Sequence, residues 1–476
     1  MASSWTLIRN GNLLTGADDS LSTASLLIKD NLIAHIGVEV GPHLVPRDER
    51  DRLRIIDATG RTVMPGLIDT HCHISYGESR AQEEQDLYNS VETRTLRAAC
   101  NAKKVLRAGF TGMSAPGGSY NIGVAIREAI KAGFVEGPRT TTAGRYLSTS
   151  NSMTDWYPDP VGVPESSIGL LTNSLPEMMA AVRRQVKAGV DYIKLSGSPF
   201  GQYQAFTQDE LKGVADLAHQ LGKKITVHAV SSAEVDAAIA AEFDWIIHGY
   251  AMNDETIGRL AESRIPLIPT LTLLANWADF GDLVGASIDE RDGARRVLDG
   301  AAVSLHKAHE AGVKLLAGTD SGFSITPYGE WHARDLELLT RYAGLSNREA
   351  IASATTEAAM ILGLEGRLGL LAPGMLADVI VVDGDPLKDV RVLQNQRHIL
   401  HVIKDGREID FDDEKEARRW PPERAQIYSR ADLTRDLVYE RRPSVPDSPA
   451  WTPEERRGLN KRIRRAGRKA VEAARG

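Results

Sequence analysis

Apolar runs along the chain fall into two spacings, one at its ends and another through its middle. WTLIRNGNLLTG (residues 5–16), SLLIKDNLIAHIG (25–37) and RIIDATGRTVMPG (54–66) are β-branched runs broken by Asn-Gly, Lys-Asp-Asn and Thr-Gly. That punctuation predicts short strands joined by turns. The pattern returns in DVIVVDGDPL (378–387) and HILHVIKDGREI (398–409). Neither group alone has enough strands to bury a sheet face. Pairing them predicts one small β-sandwich domain built from both chain ends, residues 1–62 and 372–410.

Between them, eight short apolar runs recur: VMPGLIDTHCHI (63–74), GFTGMSAPG (109–117), RTTTAGRYL (139–147), DYIKLSGS (191–198), KITVHAV (224–230), DWIIHGY (244–250), PLIPTLTL (266–273) and KLLAGTDSG (314–322). Most are separated by amphipathic stretches such as LPEMMAAVRRQVKAG, DELKGVADLAHQLGK and AAVSLHKAHEAG, several ending at Gly. Strand–helix alternation on this scale predicts an α/β fold, a (β/α)8 TIM barrel over residues 63–371. An open doubly wound sheet is the alternative, but no G-x-G-x-x-G turn follows the first strand. Residues 411–476 are charged and Pro-rich, a C-terminal extension. It ends in a helix announced by the capping box Thr452-Pro453-Glu454-Glu455. That helix has a weakly apolar face (Leu459, Ile463, Ala466, Ala470) and a basic one. It is expected to pack on the barrel or on a neighbouring subunit.

Composition narrows the class without naming it. The 476 residues are 42% hydrophobic and 25% charged, as in ordinary globular proteins, and the net charge of −7 argues against general nucleic-acid binding. The two cysteines, Cys72 and Cys100, exclude a disulfide framework. No signal-peptide pattern opens the chain, and no run approaches the ~18 apolar residues that span a bilayer. The expectation is a cytoplasmic protein with a small-molecule substrate, assembling as a homo-oligomer, with no nucleic-acid or membrane partner.

Barrel enzymes place their chemistry at the C-terminal ends of strands. Here those ends carry His71 and His73, Lys194, His228, His248 and Asp320. Four imidazoles, a lysine and a carboxylate converging on one mouth are hard to explain as packing. Period-two alternation puts His71 and His73 on one face with Asp69 deeper, and Cys72 on the other face toward the helices. Cys72 is then a small buried residue, because a thiolate nucleophile would need an activating His on its own side.

In order, PGLIDTHCH, DYIKLSG, TVHA, IIHG and AGTDSG resemble the motifs of the amidohydrolase superfamily, and LGLLAPGMLADVIVVDGDPLKDV resembles the strand leading back to its small β-domain. The resemblance spans about residues 5–410 and is greatest to the imidazolonepropionase-like and Xaa-Pro dipeptidase-like group, which includes bacterial amide, carbamate and phenylurea hydrolases. It implies two divalent metal ions, Zn first with Mn or Co as alternatives. His71, His73 and Asp320 would bind one, His228 and His248 the other. It also implies that Lys194 is carbamylated by CO2, which suits a metal bridge because an ammonium has no lone pair. The implied reaction is hydrolysis of an amide-type C–N bond by metal-activated hydroxide, with Asp320 handling the proton. The cross-class alternatives are a Schiff-base lyase using Lys194 and a non-catalytic scaffold.

The loops depart from close relatives. GFTGMSAP replaces GFTTVRD, LSTSNSMTDW lacks a Gly-Gly-His, and Tyr328-Gly329-Glu330-Trp331-His332 replaces His-Gly-x-Asn. Aromatics concentrate in these loops: Trp156, Tyr157, Phe200, Tyr203, Tyr250, Trp277, Phe280, Phe323, Tyr328 and Trp331. With Met113 making the mouth less cationic, they predict a neutral, partly aromatic or apolar substrate. Met113, Arg145, Trp156, Tyr203, Tyr250, Phe323 and His332 are the candidate substrate contacts. Xaa-Pro dipeptides or N-acyl amino acids are the alternative substrates.

Overall fold

The computed structural model describes residues 3–16, 21–199, 201–411 and 431–442. Phe200 and the helix expected after residue 452 lie outside them. Strands from both chain ends share one eight-stranded sheet, in which Val379–Val382 lies antiparallel between Thr62–Pro65 and Ile399–Lys404. The strand Trp5–Leu13 changes partner along its length, pairing Leu53–Asp57 through Arg9 and Thr62–Pro65 from Asn12 onward. Asn10, at φ 58, makes the break. Alternation of side chains sends Ile8, Leu26, Ile28, Val379 and Val381 into one apolar cluster and Trp5, Leu7 and Leu27 into another.

The middle of the chain forms parallel strands flanked by helices, a TIM-barrel-type α/β arrangement. Leu67–Asp69, Phe110–Ala115 and Arg139–Thr142 pair in one sheet. In a second, the order is Gly169–Leu171, Tyr146–Ser148, Tyr192–Ser196, Lys224–Ser231, Trp245–Ala251 and Leu267–Ile268. Single backbone hydrogen bonds continue between them. Asp191 N donates to Thr142 O (2.9 Å), Leu316 N to Leu267 O (2.9 Å) and Thr70 N to Ala317 O (3.1 Å). The strands are apolar on both faces because helices cover the outside and side chains fill the inside. Cys72 belongs to the cluster between strands and helices.

Helix starts follow the capping rules. Thr207 with Glu210 and Ser287 with Glu290 form reciprocal capping boxes at Gln208–Gln220 and Ile288–Glu310. The latter extends well ahead of the expected stretch at 301–312. PLIPTLTL was expected to be one strand, but only Leu267–Ile268 pairs. Thr270 adopts φ 50, which breaks the extended run, and Leu271–Phe280 is helical. The run at 314–322 makes bridges at Leu315 and Ser321 rather than a strand. No described helix is long and apolar enough to cross a membrane.

Candidate active site

Parallel strands, or the residues that follow them, carry five of the six chemistry-bearing residues, and Asp320 lies between the bridges at Leu315 and Ser321. His71 and His73 follow Leu67–Asp69; Lys194, His228 and His248 lie within Tyr192–Ser196, Lys224–Ser231 and Trp245–Ala251. Register brings the latter three together: Lys194 pairs with Thr226, Ser196 with His228, and Ala229 with His248. All six residues line one cavity of about 420 Å³. His71 Nε2 and His73 Nε2 are 2.9 Å apart. Asp320 Oδ1 lies 3.0 Å from His73 Nε2 and 3.4 Å from His71 Nε2. The ring centroids of His228 and His248 are 4.2 Å apart, and those of His71 and His248 5.8 Å.

Two of these residues hold left-handed backbone conformations, His248 at φ 82 and Asp320 at φ 58. Such positions are uncommon outside glycine and persist where the surroundings enforce them. Asp320 N donates to His71 O at 2.9 Å, and Thr270 Oγ1 lies 2.6 Å from His248 Nδ1.

Burial sets the charge states. It pushes the His71 pKa down to about 4 and that of His228 to about 3, and holds His248 well below the usual imidazole value, so these rings are neutral near pH 7. It also lowers Lys194 to about 7. For Asp320, burial alone would raise the pKa, but His71 and His73 outweigh it and keep the carboxyl ionised. Burial raises the Cys72 thiol, with Asp69 adding to the effect, so it is a poor nucleophile.

The donor set fits a divalent cation. His71, His73 and Asp320 bring one ligand atom each to within 4.8 Å of one another, all buried. His71 Nδ1 and both ring nitrogens of His228 are buried without a hydrogen-bond partner. Imidazoles and a carboxylate without thiolates suit Zn, Mn or Co.

Beneath this site Asp69 ties its two halves together. Its Oδ1 accepts from His71 N (3.0 Å) and Thr319 N (3.1 Å). Its Oδ2 accepts from Thr319 Oγ1 (2.5 Å) and His332 Nδ1 (2.7 Å). The segment carrying His71 is thus joined to the one carrying Asp320, and His332 completes the shell of the carboxylate.

Of the expected substrate contacts, Trp156, Tyr250 and Phe323 line the cavity, as does Trp277. Four others do not. Met113 packs in the apolar core between strands and helices. Arg145 turns its guanidinium to the carbonyls of Pro164 and Gly169. Tyr203 is half exposed and donates to Asn151 O at 2.5 Å. His332 is buried on Asp69. Arg145, Tyr203 and His332 each went to a carbonyl or a buried carboxylate, whereas Met113, on the strand Phe110–Ala115, went to the apolar core.

Other lining residues escaped sequence reasoning. Tyr76 stacks on His73 with centroids 4.1 Å apart, and its hydroxyl lies 2.7 Å from that of Tyr146. Tyr146 OH is 3.3 Å from the His73 ring nitrogens. The strand-end rule applied to RTTTAGRYL would have found Tyr146. Gln82 and Gln85, from the short helix Gln82–Asp86, carried no signal.

The profile of the amidohydrolase family matches residues 62–409. Ochratoxinase of Aspergillus niger is 27% identical over 435 residues, 84% of this chain and 86% of that protein. The crystal structure of an amidohydrolase superposes with TM-score 0.75 at 30% identity, covering 85% of this chain and 99% of the other. That of a Xaa-Pro dipeptidase with bound methionine gives 0.74 at 29%, covering 86% and 100%. The chain belongs to the amidohydrolase family and is an enzyme that hydrolyses carbon–nitrogen bonds.

Proposed function

We propose that the protein is a metal-dependent hydrolase of neutral, partly aromatic or apolar amides, carbamates or ureas. The observation that carries this reading is the cavity wall. Beyond the ligand set it includes Met153, Trp156, Ile168, Leu273, Trp277 and Phe323, with no arginine among the described lining residues. A free substrate carboxylate seated against that wall, away from the ligand set, would be desolvated without a cation beside it, which is costly. Gln85 also lines the wall, 3% exposed, and its Nε2 is buried without a partner. A neutral amide N–H suits a carbonyl or ether oxygen of an uncharged substrate.

In this reading His71, His73 and Asp320 would hold one cation and His228 and His248 a second, most simply Zn, and Lys194, as its carbamate, would be a further ligand. When bound, such ions supply Lewis acidity, polarising the scissile carbonyl and acidifying water. Asp320, kept ionised, takes a proton from water and passes it to the leaving nitrogen. Tyr146, whose phenol burial keeps protonated, faces the same cavity and is available to donate to a substrate oxygen. The reading also includes a closed eight-stranded barrel over 63–371, a separate β-domain from 1–62 and 372–410, and a cytoplasmic homo-oligomer.

The similarity to a Xaa-Pro dipeptidase supports a second reading, in which the substrates are Xaa-Pro dipeptides or N-acyl amino acids. A panel of N-aryl ureas, carbamates and anilides against those two classes separates the readings. Turnover of the neutral set is expected. Turnover of the carboxylate-bearing set alone overturns the first reading.

A further inference from the structure

The family match ends at residue 409, yet the chain packs again beside the cavity at residues 431–442, where Arg435–Arg441 is helical. Leu433 and Val438 are buried there in one apolar cluster with Val284, Ile325 and Trp331, against which Leu273, Trp277 and Phe323 also pack. Leu273, Trp277, Phe323 and Ile325 are cavity-lining residues. The far side of the substrate wall is therefore this segment.

Polar contacts fix it in register on the loop that follows Asp320. Leu433 N donates to Ser324 O at 3.0 Å, and Trp331 Nε1 donates to Leu433 O at 2.6 Å. Arg435 donates from its backbone N to Glu330 Oε2 (3.0 Å), from Nε to Glu330 O (2.9 Å) and from Nη2 to Gln394 Oε1 (2.8 Å). Its guanidinium also lies 4.7 Å from the centre of the Trp331 ring. Arg442 closes the far end on Asp279 O (2.8 Å) and Asp282 Oδ2 (2.5 Å). Ser324 itself lines the cavity, so one hydrogen bond separates the segment from the substrate space.

We infer that residues 431–442 are a specificity-determining strap, which backs the aromatic wall and sets how large an apolar group the cavity seats. The inference rests on reading this cavity as the substrate site. Close-packed walls respond to the layer behind them: removing Leu433 leaves a void into which Ile325 and Phe323 relax. The strap acts through those residues and so is a positioning element.

The test is a series of N-acylanilines of increasing acyl length, with a parallel series of N-acylphenylalanines, on the full-length enzyme. Leu433→Ala is expected to shift the kcat/KM preference toward longer acyl groups by about fivefold or more, chiefly through KM. Metal content should stay unchanged, and Leu433→Met should restore the wild-type profile. Arg435→Ala, which removes the polar anchor and leaves the apolar contact in place, should raise KM across the series and speed amide hydrogen exchange over residues 320–331 without substrate present. Wild-type chain-length profiles and exchange rates in both alanine variants would overturn the strap. Turnover of the phenylalanine series alone would overturn the neutral-substrate reading instead, while its chain-length profile still reports on the strap.

Discussion

Asp320 combines a left-handed backbone with an ionised, buried carboxylate, and both depend on neighbours from distant parts of the chain. Asp320→Asn keeps shape but cannot take a proton. Its kcat should fall by roughly 10²–10⁴-fold with the circular dichroism spectrum preserved, and near-normal turnover would contradict the assigned role. His332 matters through Asp69. His332→Phe leaves that buried carboxylate one donor short, a loss of about 1–3 kcal/mol measurable by urea unfolding. His332→Gln retains a donor and should recover part of it; a Phe variant as stable and active as wild type would show that the hydrogen bond is idle.

At the scale of elements, the helix Leu271–Phe280 does two jobs. Leu273, Leu274 and Trp277 face the cavity, while Asp279 pairs with Arg295 and Arg334 and Asn276 donates to Ile325 O at 2.7 Å. Burial would raise the Asp279 pKa, but Arg334, Arg295 and Arg341 outweigh it, and the net shift is downward. A depressed folded pKa gives stability that is present above the unfolded carboxylate value near 3.9 and is lost as pH falls through the folded one. Wild type should therefore exceed Asp279→Asn by on the order of 3 kcal/mol near neutral pH, and the gap should close under acid. A gap independent of pH between 6 and 2 would mean the charge is not what stabilises the cluster (both limits roughly bracket the titration). This helix was read as strand from PLIPTLTL because its apolar run is short and periodicity does not separate the two forms there. The switch is made by Thr270 at φ 50, held near Tyr250 and His248.

For the whole molecule, the proposed ligand set would couple metal to both activity and stability. Chelation should remove turnover and lower Tm, because an ion bound only by the folded state stabilises it by mass action. Restoring Zn, Mn or Co should return both; full turnover in protein shown to be metal-free would refute metal dependence. The residues of that set were legible from sequence, since each is a polar residue in or at the end of a short apolar run. Their loops were not. Arg145, Tyr203 and His332 carry no local pattern that distinguishes a side chain facing the cavity from one bound to a carbonyl or to Asp69.

Sequence alone determined the alternation of strand and helix, the order of the six strand-end residues and the burial of Cys72, because period-two and helical patterns are properties of neighbouring residues. Tertiary structure alone decided which aromatics meet the substrate space, where His332 finds its partner, and that residues 431–442 lie behind the wall. Those outcomes depend on contacts between segments hundreds of residues apart, such as His332 with Asp69 at a separation of 263, which no local pattern encodes.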